Sequence, residues 1–206
     1  MCYRPAMDGN TGVIEPPLEE KRFTAEDFLA MVEAGVFATT EGKVELADGR
    51  VVVAPVDGAR HISVAHRLNM LWTPRLAAAV DLRARAAFYA PGTVRLHSGS
   101  VREPDGLLCP PGIFESSRWP DAGEVFLCVE HSDTTLANDD GPKRGDYARS
   151  GLRELWIVRI ERQDVRVCRD PKPDGSWATA DLHPLDAVIA PLAAPELMLR
   201  VRELFE

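Results

Sequence analysis

The sequence predicts an α/β fold of the α+β kind: a mixed β-sheet with flanking helices, preceded by an N-terminal helix and a hairpin. Three patterns predict it. Alternating β-type runs flank Asp48-Gly49 in KVELADGRVVV (43–53), a strong hairpin signal. The unbroken apolar run VFLCV (125–129) marks a strand covered on both faces. Helical spacing through Ile62, Ala65, Leu68 or Asn69, and Trp72 supplies an element to cover such a strand.

Residues 1–22 mix Pro, Gly and charge and read as a flexible N-terminal tail, leaving 23–206 as a single domain. Thr24 opens the first helix as N-cap, with Asp27 completing a capping box, and Phe28, Met31 and Val32 form its apolar stripe. Gly35 stops it. After the hairpin, a helix spans 60–73, and Pro74 is expected to end or kink it. Residues 82–89 and 93–97 read as strands, as does the stretch around Asp105, and Arg83 and Arg85 would share one strand face. A Pro-, Ser- and Gly-rich loop (110–123) leads into VFLCV. A helix follows over 139–150, closing at Gly151, and then ELWIVRI (154–160) and DVRVCRD (164–170) form a hairpin or meander. The proline-containing C-terminal part reads as short strands and loops.

With 45% hydrophobic residues and 27% charged, the 206-residue chain can build a core of ordinary size. Its net charge of −8 opposes indiscriminate binding to nucleic acid, though an acidic protein can still carry a local cationic cleft. The four cysteines form no CxxC pair, which argues against a cysteine zinc site. No secretory segment and no bilayer-length apolar run is present, so a cytoplasmic setting without membrane contact is expected.

Two carboxylates raise the functional question. In VREPDGLLC (101–109), Asp105 sits at the start of an apolar run, and in VFLCVEHSDTT (125–135), Glu130 sits at the end of one. If these strands are antiparallel neighbours, the two groups meet at one sheet edge. Buried together they repel, and a cation is the natural compensation. Hard oxygen ligands suit Mg or Mn shared with a phosphate. Lys143, on the following helix, can orient an attacking water and stabilise charge on phosphorus. Ser132 shares the strand face of Glu130.

Pro104-Asp105, Glu130 with Ser132 two places on, and Lys143 on the next helix resemble the PD-(D/E)xK nuclease signature, with its lysine moved from strand to helix. From Phe23 to Phe205 the chain resembles the Uma-type restriction endonuclease family, through FTAEDFLAMVEAG, KVELADGRVVVAP, RHISVAHRL, VREPDGLL and VEHSDTTLANDDGPKRGDYARSGLRELWIV. The resemblance implies a restriction-endonuclease-like core. It implies Mg (or Mn) held by Asp105 and Glu130, with Lys143 assisting water attack on DNA. It adds Glu45 as an outer acidic member and His61 as a contact to substrate or to water on the metal. It also implies a homodimer. The chain departs from the family at His131, where an apolar residue is usual. The His131 backbone carbonyl can still serve the metal, but its imidazole, facing away from Glu130, must find a partner or solvent. Arg102 and Arg144, with Arg83, Arg85 and Arg149, are the cations available to guide a phosphate backbone.

Each residue also has an ordinary reading. Asp105 can cap a turn after Pro104, Glu130 can pair with Arg102, and Lys143 and Arg144 can lie on a solvated helix face. Glu45 can point outward on its strand and His61 can pack at the surface. The alternative to a nuclease is accordingly a catalytically weak or inactive scaffold or interaction protein of the same fold.

Overall fold

The structure is a computed structural model, and it describes residues 20–97, 99–115, 118–133 and 135–206. Of the expected tail over 1–22, residues 1–19 lie outside the described residues. Its last members lie along the hairpin instead, where Glu20 bonds Arg50 at 2.7 Å and Arg22 pairs with Asp48.

Helix α1 (Ala25–Glu33) starts at Thr24 with both halves of the capping box, each 3.0 Å long. It buries Ala25 and Phe28, while Val32 is exposed, so its apolar stripe is narrower than its sequence spacing predicts. Strands β1 (Lys43–Ala47) and β2 (Arg50–Ala54) form the hairpin, turned by Asp48 at φ 49° and Gly49 at φ 74°. Two successive positive-φ residues match the right-handed twist of the flanking strands.

Helix α2 (Ala59–Ala78) does not end at Pro74 but continues past it. Val64, Leu68, Trp72 and Leu76, each four residues apart, are all buried. Apolar anchors on both sides of the proline carry the helix past its lost hydrogen bond. The strand expected at 82–89 is mostly a helix, α3 (Val80–Arg85), with only β3 (Ala87–Tyr89) extended. Asp81 in its first turn and Arg83 and Arg85 in its last complement the helix dipole, and Leu82 is its one buried anchor. Arg83 and Arg85 therefore do not share a strand face. Strands β4 (Val94–Leu96), β5 (Ser100–Arg102), β6 (Gly106–Cys109) and β7 (Leu127–Ser132) follow.

The helix expected over 139–150 is broken. A short α4 (Leu136–Asn138) leads into a wide turn over Asp139–Lys143, where Gly141 is non-helical beside Pro142, and only α5 (Arg144–Arg149) is regular. Strands β8 (Glu154–Arg159) and β9 (Asp164–Pro171) form the expected antiparallel pair, which β10 (Trp177–His183) extends into a three-stranded meander, and β11 (Val188–Ile189) pairs with β12 (Leu199–Arg200).

The main sheet has the order β10-β9-β8-β7-β6-β3, and a second sheet has the order β2-β1-β5-β4. Strand β7 runs antiparallel to β6 and parallel to β8, and it is buried along its whole length. One face of the main sheet packs Leu127, Val129 and Trp156 against Trp72 and its neighbours on α2. The other packs Cys128, Leu155 and Ile157 against Tyr147 and Ala148 of α5. Among the described residues no helix is long and apolar enough to cross a membrane.

Trp72 joins these layers. It is fully buried, its indole N–H donates to the Leu197 carbonyl at 2.8 Å, and its ring meets Phe88 and Trp156 edge-on at 5.0 and 5.6 Å. Trp72→Ala is expected to cost about 3–5 kcal/mol in urea unfolding. A loss below about 1 kcal/mol would show that α2 does not anchor the sheet.

Candidate functional site

The site forms where the two sheets meet, at the end of β7. Gly106 lies opposite Val129, so Asp105 and Glu130 emerge side by side from antiparallel strands. Strand alternation then divides the neighbours. Glu130 follows Cys128 toward the α5 face, and His131 follows Val129 toward the α2 face. Asp105, Glu130, Lys143, Glu45, His61 and His131 line one cleft of about 190 Å³.

Toward α5, the Lys143 ammonium donates to Glu130 Oε1 at 2.9 Å and to Glu45 Oε1 at 3.2 Å. The Tyr147 hydroxyl donates to Glu130 Oε1 at 2.6 Å. All four side chains are buried. Burial pushes Glu130 up to about 8, against the opposing charge of Lys143, with Asp105, Asp139 and Glu45 adding repulsion. Burial would lower Lys143, but Glu130, Glu45 and Asp139 outweigh it and hold the ammonium charged. Glu45 is held below the usual carboxylate range: burial opposes this, and the charges of Lys143 and Arg102 prevail.

Toward α2, Asp105 Oδ1 accepts from Lys43 Nζ at 2.9 Å and lies 3.2 Å from His61 Nε2, while Oδ2 accepts the His131 backbone N–H at 2.6 Å. Burial would raise Asp105, yet the His61 hydrogen bond and the nearby charges of Lys43 and His61 hold it far below its ordinary value. His131 is 2% exposed, and neither ring nitrogen has a hydrogen-bond partner among the described residues. Burial lowers its imidazole to about 4, so it is neutral. Its ring sits edge-on to His61 at 5.4 Å, and His61, Asp105 and His131 offer ligand atoms within 4.8 Å of one another.

Three expected contacts lie elsewhere. Arg102 is buried, bonded to Asp146 at 2.7 Å and Glu45 at 3.2 Å; it braces Glu45 from behind and is not placed to guide a phosphate. It does not pair with Glu130. The Ser132 hydroxyl turns inward and donates to Asp139 at 2.5 Å. Arg144 sits beside Asp140 at 3.4 Å, outside the lining of the cleft. The sequence reading missed Lys43, Tyr147 and the His131 imidazole. Lys43 was within reach of a simple rule: it stands two residues before Glu45 on β1 and shares its face. Tyr147 lies four residues after Lys143, one turn along the chain.

The family model described as "Putative restriction endonuclease" matches residues 25–202. The chain belongs to this Uma2 family. Its fold is similar to that of a putative nuclease belonging to DUF820 from Anabaena variabilis, solved at 1.96 Å. That likeness has a TM-score of 0.63 and 16% identity, covering 89% of this chain and 97% of the other. No curated protein matches this Uma2 chain significantly.

Because Glu130 sits above its unfolded value of 4.5, the folded state holds a proton that the unfolded state has lost between pH 4.5 and about 8. Its contribution to stability therefore falls as pH rises through that window. Thermal melts of wild type and Glu130→Gln should converge at low pH, with the variant gaining on wild type toward pH 8. A constant difference across the window would contradict the burial-driven shift.

Proposed function

We propose that this Uma2 protein is a divalent-metal-dependent endonuclease that hydrolyses phosphodiester bonds of DNA at the cleft between the sheets. The observation that carries this reading is the convergence of Asp105, Glu130, Glu45 and Lys143 from four separate parts of the chain onto one cleft. The family description, restriction endonuclease, supports DNA as the substrate class.

The residues fit a divalent ion such as Mg or Mn. Asp105 and Glu130 line one cleft as buried carboxylates, and the repulsion between them adds to the burial that raises Glu130, a cost that a divalent ion would offset. Asp105 and Glu130 would hold the ion, with the His131 backbone carbonyl as a further oxygen donor. Bound there, it would supply Lewis acidity toward the phosphate and an acidified water. The protein's own groups do the remaining work. Lys143, fixed between Glu45 and Glu130, keeps its proton and presents it to the attacking water and to the charge that builds on the phosphate oxygens. Tyr147 and Arg102 are positioning residues: they orient Glu130 and Glu45. His61, bonded to Asp105 at the cleft mouth, is placed to meet substrate. A homodimer belongs to this proposal, since cutting two strands takes two sites.

One observation favours the second reading, an inactive scaffold. Asp105 and Glu130 each already have a lysine at 2.9 Å, so the network has internal charge partners. Nicking of supercoiled plasmid decides between them. Nicking with Mg2+ or Mn2+, reduced at least about 100-fold in Asp105→Asn, Glu130→Gln and Lys143→Gln, is expected. An inactive wild type, or variants as active as wild type, would overturn the nuclease reading.

A further inference from the structure

We infer that His61, Asp105 and His131 form a nitrogen-rich ligand set that gives this cleft a preference for a first-row transition ion over magnesium. The inference rests on reading the cleft as a metal site and names the class of ion it selects.

His131 carries the argument. A buried imidazole with neither nitrogen hydrogen-bonded among the described residues is costly, and sequences rarely keep one without a use. An apolar side chain would pack at this strand position without that cost, as Leu127 and Val129 do on the same face of β7. The ring is neither isolated nor aimed into the core. Its Nδ1 lies 3.9 Å from Asp105 Oδ2, too long for a hydrogen bond, and the ring faces His61 across the cleft wall. His61 brings a second imidazole nitrogen to 3.2 Å from the same carboxylate. Asp57 lies 3.5 Å from His61 Nδ1, on the side of the ring where a ligating histidine takes a carboxylate partner.

Two imidazoles and a carboxylate select by ligand type. Imidazole suits zinc, cobalt, nickel or iron(II), whereas magnesium takes oxygen and keeps its waters. The three donor atoms lie within 4.8 Å of one another. Small side-chain rotations would bring them to the roughly 3.3 Å spacing that bonds of about 2.0–2.1 Å require. Asp105 is shared with the oxygen side of the cleft, so Glu130 and Lys143 remain on the opposite face of β7, outside this ligand set.

The test is a titration of metal-free protein with Co2+, followed by its visible absorption, with Mg2+ binding measured by calorimetry in parallel. Wild type should develop the absorption of nitrogen-ligated Co2+. Loss of a ligand should weaken Co2+ at least as much as the roughly 10–100-fold that follows loss of an outer partner. His131→Val and His61→Gln should both show this, with Mg2+ affinity changed less than about threefold. His131→Val removes an unpartnered polar group, so its metal-free melting temperature should hold or rise; His61→Gln tests the same set from a different element. Unchanged Co2+ affinity in either folded variant, or equal losses of Co2+ and Mg2+, would overturn the inference. A protein that binds Co2+ through His131 yet never nicks DNA leaves this inference standing and removes the nuclease reading. Mg2+-dependent nicking with no histidine-dependent Co2+ binding does the reverse.

Discussion

Lys143 lies between two carboxylates that come from different sheets: Glu45 from the hairpin sheet and Glu130 from the main sheet. An ammonium so placed repels neither and is indispensable to both. Removing it would leave the buried Glu45 charge without this partner and push Glu130 further toward its protonated form, and breaking a buried pair costs about 3–5 kcal/mol. The position of the lysine depends in turn on the wide turn at Asp139–Lys143, where Gly141 and Pro142 interrupt regular helix just before α5. The break that spoils helical regularity is thus what delivers Lys143 to the sheet junction. Arg102, bonded to Glu45 and Asp146, repeats the same logic one layer deeper.

Strand β7 then sorts the site by simple alternation. Its even-numbered residues meet α5 and its odd-numbered residues meet α2, so Glu130 and His131 work on opposite faces although they are adjacent in sequence. Asp105 belongs to neither face; it sits where β6 begins and bonds both the β7 backbone and Lys43. Glu154 shows what a purely structural buried acid looks like in the same sheet. It is fully buried, takes bonds from Trp156, Arg169 and the Leu192 N–H, and borders no part of the cleft. Glu130 and Asp105 are buried too, but they line solvent-connected space beside cations held in reserve.

Much of this was legible because the signals are local. Asp48-Gly49 dictates its turn, and VFLCV marks a strand covered on both faces, although that strand starts only at Leu127 and runs on to Ser132. The meeting of Asp105 and Glu130 in one cleft follows from where two apolar runs begin and end. What the sequence did not disclose depends on tertiary packing. Pro74 breaks helices in general, yet Trp72 and Leu76 bury the turn on each side of it. The alternation around Leu82 imitates a strand because a six-residue helix with one buried anchor has no period to read. Arg102 looks like a free cation until two acids close around it. His131 was recognised as a departure from the family, but only the fold shows its ring turned toward His61 and Asp105.

On the proposed function, Asp105 and Glu130 share a divalent ion in the cleft. Crystals soaked in Mn2+ and measured at a wavelength where manganese scatters anomalously test it most directly. An anomalous peak is expected within coordination distance of both carboxylates, with Lys43 moved off Asp105 and Lys143 still on Glu45. A cleft without a peak, and with both lysine–carboxylate pairs of the metal-free protein intact, would contradict it.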